Sequence, residues 1–273
     1  MEINSLPKAV YYQPDNDIKW IVRKYETIKY NGPSQVFSDK FIPRPDIALV
    51  FNFKNIPQVL SHENIRLKSI FIATIPVKPL LLAIEGQIHS FIIVCKATVF
   101  SRIFKIHMAN TIPIVEINDK NLLRVYTLLM QRTNDSERIE CFSQFINGLN
   151  SADYKPDSID CIYDEILENC TFKTLQQMLD NRFISKSSLH RIFLKRTGVS
   201  MKKMIRIARV HKILELMIRE KQFDFSKMFS NSMYYDQSHF INDFKEITGL
   251  SPMKFFKQHS EILKIISGIE YNH

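Results

Sequence analysis

The sequence predicts an α+β protein: a β-rich first half, a helical hairpin, and an all-helical C-terminal region with two helix-turn-helix units. Three observations carry this. Nine of the eleven prolines fall at or before Pro113, and proline suits loops and strand edges far better than helix interiors. The hydrophobic period changes from strand-like to helical beyond Asn118. A segment beginning at Ser187 recurs at Ser238, an offset of 51 residues.

In residues 8–115 the apolar runs 47–53, 69–73, 80–84, 91–94 and 102–106 have strand length and are rich in β-branched and aromatic side chains. They predict a mostly antiparallel barrel or sandwich filling a first domain at 1–117. This half shows no cationic cluster, metal-ligand set or cofactor loop, and 91–94 reads as core or as the lining of an apolar pocket. From 118 to 149 a helical hairpin is expected. Leu122, Leu123, Tyr126, Leu129 and Met130 form one stripe, a polar break covers 133–136, and Ile139, Phe142, Phe145 and Ile146 form the second stripe, ended by Gly148. Residues 150–157 are polar, contain Pro156, and read as a linker. The helical domain then spans 158–262.

The repeat gives that domain its internal plan. Leu189 and Phe193 in the first copy match Phe240 and Phe244 in the second, four apart and so on one helical face. Gly198 and Gly249 suit the left-handed residue that ends a helix. Ser200 and Ser251 suit the N-cap of the next helix, with Pro252 in its first turn. Ahead of each copy comes a short helix: Thr174 to Gln177 has the form of a capping box, and Asp224 is the matching N-cap in the second copy. Ser185 and Asp236 are the expected N-caps of the two recognition helices, and a long amphipathic helix over about 201–220 joins the units.

Composition narrows the function classes. A 45% hydrophobic content excludes wholesale disorder, and no apolar run reaches the length of a membrane span. The N-terminus has no basic start followed by an apolar stretch, so no secretory signal is expected and a cytoplasmic setting fits. Cys95, Cys141, Cys161 and Cys170 lie far apart, which predicts free thiols rather than a disulfide frame or metal site. No metal or cofactor is expected. Nor is catalysis: the cysteines lack activating neighbours, and there is no nucleophile elbow, P-loop or zinc motif. Net charge is +9, and its placement is uneven. Residues 182–212 hold ten Lys or Arg and no acid, whereas 213–273 hold seven basic and eight acidic residues. A cationic face centred on one helix-turn-helix gains from counterion release on a polyphosphate duplex.

The string Tyr234, Tyr235, Asp236, Gln237, Ser238, His239, Phe240, with Phe244, Lys245, Thr248, Gly249, Leu250, Ser251 and Pro252, resembles the C-terminal signature of the AraC/XylS family of bacterial transcriptional regulators. Leu189, Arg191, Phe193, Gly198 and Ser200 resemble that family's first motif. The likeness covers roughly residues 160–258. The β-rich half and hairpin are similar in plan to members with a cupin-like sensory domain and a dimerising helical pair. Leu179, Phe183, Phe229 and Met233 depart from the family's small Ala and turn Gly. A bulky residue at a helix crossing requires repacking, so altered crossing geometry is expected.

The resemblance implies two units docking in adjacent major grooves. Ser187, His190 and Arg191 match positions that meet bases; Arg191 can bridge guanine O6 and N7, its alternatives being a phosphate clamp or an internal ion pair. His190 can meet a base or a phosphate, or stay solvated. Gln237, Ser238, Ile241 and Asn242 match the outward positions of the second helix, Asn242 for adenine and Ile241 for a thymine methyl. Lys186, Lys195, Arg196, Lys202, Arg206, Arg209 and Lys245 are the expected phosphate contacts. The first unit is expected to dominate affinity. The expected partner is double-stranded promoter or operator DNA, with a homodimer as the assembly, RNA polymerase and an unidentified small-molecule effector as further candidates, and no membrane. The alternative is a diverged interaction partner of a related regulator that no longer binds DNA.

Overall fold

Short strands with buried alternating faces form the first half. They are β1 (Lys8–Tyr12), β2 (Val22–Tyr30), β3 (Val36–Phe41), β4 (Ile47–Asn52), β5 (Gln58–Val59), β6 (Ile70–Ala73), β7 (Leu80–Glu85) and β8 (Ile88–Cys95), with β9 (Ile114–Glu116) later in the chain. The computed structural model describes residues 7–32, 34, 36–61, 67–109, 114–117, 119–149, 154–180, 184–220, 234 and 236–257. All pairings are antiparallel, in one sheet of order β1-β2-β8-β4-β6-β9 and a second of order β3-β7-β5.

Strand β4 is central in the larger sheet and buried along its whole length, which explains its continuous apolar run: both faces are covered. One face sends Ala48 and Val50, with Phe71 and Ile92, toward Val59 and Leu82 of the smaller sheet. The other sends Leu49 and Phe51, with Phe91, Ile93 and Tyr25, into the main core. That second face is roofed by the hairpin, α2 (Lys120–Met130) and α3 (Asp135–Asn147), capped by Asp119 and Asn134. Tyr25 stacks on Phe91 at 5.7 Å and meets Phe142 edge-on at 6.4 Å. Asp135, where Lys29, Arg138 and the Tyr12 hydroxyl converge, ties the hairpin to the sheet.

One expected strand is a helix. Residues 102–106 do not pair in a sheet; α1 (Ala97–Ile103) occupies their first part, followed by a turn in which Lys105 has φ 54°. Ala97, Phe100 and Phe104 recur at helical spacing, Ala97 and Phe100 are fully buried, and Phe100 contacts Phe104 ring to ring at 4.4 Å. That periodicity outweighs the short alternation Ile103/Phe104/Ile106, a pattern too brief to specify a strand.

The C-terminal region comprises α4 (Ser158–Asn169), α5 (Leu175–Leu179), α6 (Lys186–Thr197), α7 (Met201–Glu220), α8 (Gln237–Thr248) and α9 (Pro252–Lys257). It shares one continuous core with the first sheet. Helix α1 packs against α4 and α6. The buried Tyr163 hydroxyl donates to the Pro45 carbonyl at 2.8 Å and lies 2.9 Å from Asp46, and Lys96 pairs with Asp164 at 2.8 Å. The expected linker therefore ends in a built joint: Asp157 is the N-cap of α4, in a reciprocal capping box with Asp160. No helix among the described residues is long and apolar enough to cross a membrane.

Candidate nucleic-acid interface

The first unit forms as the caps foretell. Thr174 and Gln177 close a capping box on α5, whose Met178 and Leu179 are buried. Ser185 accepts from the Ser188 amide to start α6, and Gly198 at φ 80° ends it. Leu189 and Phe193 are fully buried, and Ile192 packs partly buried against the same core. Ser200 then caps α7, accepting from the Lys203 amide at 3.2 Å.

The second unit repeats these features. Asp236 accepts from the His239 amide at 2.8 Å, Phe240 and Phe244 are fully buried, and Gly249 at φ 75° ends α8. The two copies share a further device, a buried threonine at each helix end. The hydroxyls of Thr197 and Thr248 each donate to the carbonyl four residues back and accept from the amide two residues on. Each thereby satisfies backbone groups at the helix end that burial would otherwise leave unpaired. The expected first helix of this unit, with Phe229 and Met233, lies outside the described residues, as does Phe183. Leu179, the fourth departure, is accommodated in the core at 4% exposure.

The outward surface of α6 is formed by Lys186, Ser187, His190, Arg191, Leu194 and Lys195, all exposed. Leu194 is 41% exposed in line with Ser187, His190 and Arg191, an apolar side chain on the polar face that the sequence reading did not single out. Lys186 lies 3.4 Å from Asp180. On α8, Gln237, Ser238, Asn242 and Lys245 are exposed, while Ile241 is partly buried against the core.

Three of the seven expected phosphate contacts are held elsewhere. Arg196 makes two bonds to Asp157, at 3.0 and 2.6 Å, and sits 3.6 Å from Asp160. Arg206 donates to Asp243 at 2.7 Å and also pairs with Glu246. Arg209 donates to the Cys170 carbonyl at 2.7 Å and lies 5.9 Å from the Tyr234 ring centre. In each case an oxygen on a packed neighbouring helix is within reach, and such charge-assisted bonds are strong when partly desolvated. Lys202 remains exposed on α7, whereas its neighbour Lys203 pairs with Glu246 at 2.6 Å.

The electrostatics of the two units therefore differ. Helix α6 contains no acid. Helix α8 carries Asp243, nearly fully buried, which also accepts from the Tyr234 hydroxyl at 3.1 Å. Burial, reinforced by Asp243, pushes the Tyr234 phenol well up. Hydrogen bonds from Lys203 and Arg206 hold the Glu246 carboxyl below its ordinary range. At the base of α6, burial raises the Asp157 carboxyl, but the bonds from Arg196 and the Asp160 amide and the charges of Arg196 and Arg102 together outweigh it, bringing it to about 2.

The first half holds a cluster that the sequence did not announce. A cavity of about 280 Å³ lies between the sheet and α7, lined by Arg23, Lys24, Arg44, Asp46, His211 and Lys212 among others. Arg44 is bonded to the buried Glu26 at 3.1 and 2.6 Å. Of the 91–94 run, Phe91 and Ile93 are plain core and Val94 lines this cavity. Burial pushes the Cys95 and Cys170 thiols up, the opposite of an activated nucleophile.

Residues 181–258 match the family model described as a helix-turn-helix domain, and residues 10–113 match one described as a domain of unknown function (DUF6597). No curated protein matches the sequence. Among solved structures, ToxT from Vibrio cholerae is 12% identical with a TM-score of 0.47, over 92% of this chain and 98% of that one. ToxT of strain O395 bound to (E)-4-(8-methylnaphthalen-1-yl)but-3-enoic acid is 13% identical with a TM-score of 0.47, over 93% and 99%. ToxT of strain SCE256 with an unsaturated fatty acid bound is 12% identical with a TM-score of 0.43, over 98% and 97%. At such identity and superposition the likeness carries no statement about function.

Proposed function

We propose, from the premise that residues 181–258 form a helix-turn-helix domain of the AraC type, that this DNA-binding transcription regulator reads its operator chiefly through α6. The observation that carries this is the acid-free outward face of α6, where Ser187, His190, Arg191 and Lys195 are exposed together. Arg191 reads guanine, Ser187 and His190 contact base edges or the adjoining backbone, and Leu194 suits a thymine methyl. Lys186, Lys195 and Lys202 contact phosphates and set the register. Arg196, Arg206 and Arg209 leave the phosphate set, because moving them onto DNA would break their internal bonds.

The second unit docks one helical turn away through Gln237, Ser238 and Asn242, with Lys245 on the backbone and Ile241 at the margin. It adds preference rather than affinity. The chain acts as a cytoplasmic homodimer at promoters, where RNA polymerase is the further partner. Sensing in this reading belongs to the cavity between sheet and α7. A small molecule seated there touches both the sheet and α7, so its affinity differs between arrangements of the two.

A salt titration on duplex DNA tests the reading. Four phosphate contacts, Lys186, Lys195, Lys202 and Lys245, predict that log K falls against log salt with a slope of about −3 to −4. Binding that ignores salt, or none at all, would favour the interaction-partner alternative, which the internal neutralisation of Lys203 and Arg206 supports.

A further inference from the structure

We infer that Arg102, a residue of the β-domain, positions the first recognition helix for base reading, acting through Asp157 and Asp160 on Arg196. The inference rests on the DNA-binding reading above.

Arg102 lies on α1, which packs against both α4 and α6. Its guanidinium sits 3.1 Å from Asp157 Oδ2 and 3.2 Å from Asp160 Oδ2. Arg196 on α6 reaches the same Asp157 Oδ2 at 2.6 Å and Asp157 Oδ1 at 3.0 Å. Two arginines, one from each domain, thus share one carboxylate oxygen. Neither side of the cluster is loose. Asp160 is 2% exposed and accepts from the Tyr154 hydroxyl at 3.1 Å. Arg102 also donates to the Lys155 carbonyl at 3.0 Å and lies 4.7 Å from the Tyr154 ring centre, and that ring stacks on Trp20 of the β-domain at 4.5 Å.

A backbone contact fixes the same end of the helix. The Met108 amide donates to the Lys195 carbonyl at 2.9 Å, so the last turn of α6 is bonded to the chain just beyond α1. Arg196 stands about 140° around the helix from Arg191 at 100° per residue. The grip therefore holds the helix from a different side than the one that meets DNA. A side chain that reads a base edge must be held within about 0.5 Å and 10–20° of its productive pose. Recognition by Arg191 consequently depends on what fixes the rotation of α6, and the shared carboxylate is one of its fixtures, beside the Met108 bond and the buried Leu189 and Phe193.

The test uses the full chain, a duplex that it selects from a random pool, and an unrelated duplex of equal length. Arg102→Gln should weaken binding to the selected duplex by about fivefold or more, within the range for residues that act through a packed network. Binding to the unrelated duplex and the salt slope should stay within about twofold, because no phosphate contact is touched. Arg102→Lys, which keeps a charge on the carboxylates, should recover most of the loss. Amide exchange without DNA should quicken over residues 186–197 in Arg102→Gln and not in Arg102→Lys. Equal losses on both duplexes, no loss on either, or unchanged exchange in α6 would overturn the inference. If the wild-type chain selects no duplex, the DNA-binding reading fails and takes the base-reading role with it. The exchange arm then still separates that outcome from a cluster that never held α6.

Discussion

Helices α6 and α8 are built on one plan and carry opposite electrostatics. Each is started by a side-chain cap, Ser185 or Asp236, ended by a left-handed glycine, Gly198 or Gly249, and sealed by a threonine hydroxyl, Thr197 or Thr248. Each buries two large side chains four residues apart. Yet α6 presents cations outward, while α8 supplies Asp243 and Glu246 that bind Lys203 and Arg206 of the connecting helix. The repeat conserves what a helix needs in order to form and dock. It does not conserve what a helix offers to a polyanion. Folding and binding draw on different positions of the same segment, so one can diverge while the other is held.

The comparison is sharpest where the two units should agree. Phe193→Ala and Phe244→Ala each open a cavity at a fully buried ring and should each destabilise the fold by about 3–5 kcal/mol. Chemical denaturation of both variants checks this. A much smaller loss for Phe244→Ala would mean that the second unit is not part of the common core.

At the glycines they should part. A β-carbon at Gly198 would stand 2.9 Å from the Met108 carbonyl oxygen, a backbone atom that cannot step aside. At Gly249 it would meet Lys40 Nζ at 3.3 Å and Pro79 Cγ at 3.4 Å, tight contacts that the flexible lysine can relieve. The left-handed conformation alone costs an alanine about 1 kcal/mol at either site, so Gly198→Ala should lower the thermal midpoint distinctly more than Gly249→Ala.

Removing the acid should bring the units closer together. Glu246→Gln releases Lys203 and one contact of Arg206 on an exposed surface. Non-specific duplex binding should tighten, and the salt slope should steepen by up to about 0.9 for a freed cation. An unchanged slope would place Lys203 away from the backbone track.

Acid should loosen the tether of α6, with the smallest effect. The Asp157 carboxyl lies at about 2 in the fold and near 3.9 in an unfolded chain. Its contribution is therefore complete above pH 4 and is lost as pH falls through 2. Between those values the thermal midpoint of Asp157→Asn should fall less steeply than that of wild type.

Much of this was legible from local pattern. The caps at Thr174, Ser185, Ser200 and Asp236, the left-handed glycines, the hairpin stripes and the bounds of α7 all depend on residues within a turn or two of one another. What escaped depends on segments brought together by the fold. The acids that hold Arg196 and Arg206, first among them Asp157 and Asp243 at 39 and 37 residues' distance, lie outside the basic segment, so a charge count over 182–212 could not tell a free cation from a spent one. The cavity cations likewise come from distant segments: the adjacent Arg23 and Lys24 on β2, Arg44 ahead of β4, and Lys212 on α7. Residues 102–106 failed for a different reason: five residues of mixed pattern carry too little periodicity to separate helix from strand. Phe240, Phe244 and Ile247 define the inward side of α8, and Asp243 falls on that side, so a buried acid in need of a cation could have been anticipated.

The direct test of the central claim is a comparison of dissociation constants for the selected duplex, at one salt concentration, among wild type, Arg191→Ala and Asn242→Ala. Arg191→Ala should lose about 1–3 kcal/mol of binding, or roughly 5- to 150-fold, and relax the preference at its base pair, with Asn242→Ala losing less. A loss for Asn242→Ala more than tenfold greater than that for Arg191→Ala would contradict the account and make α8 the reader.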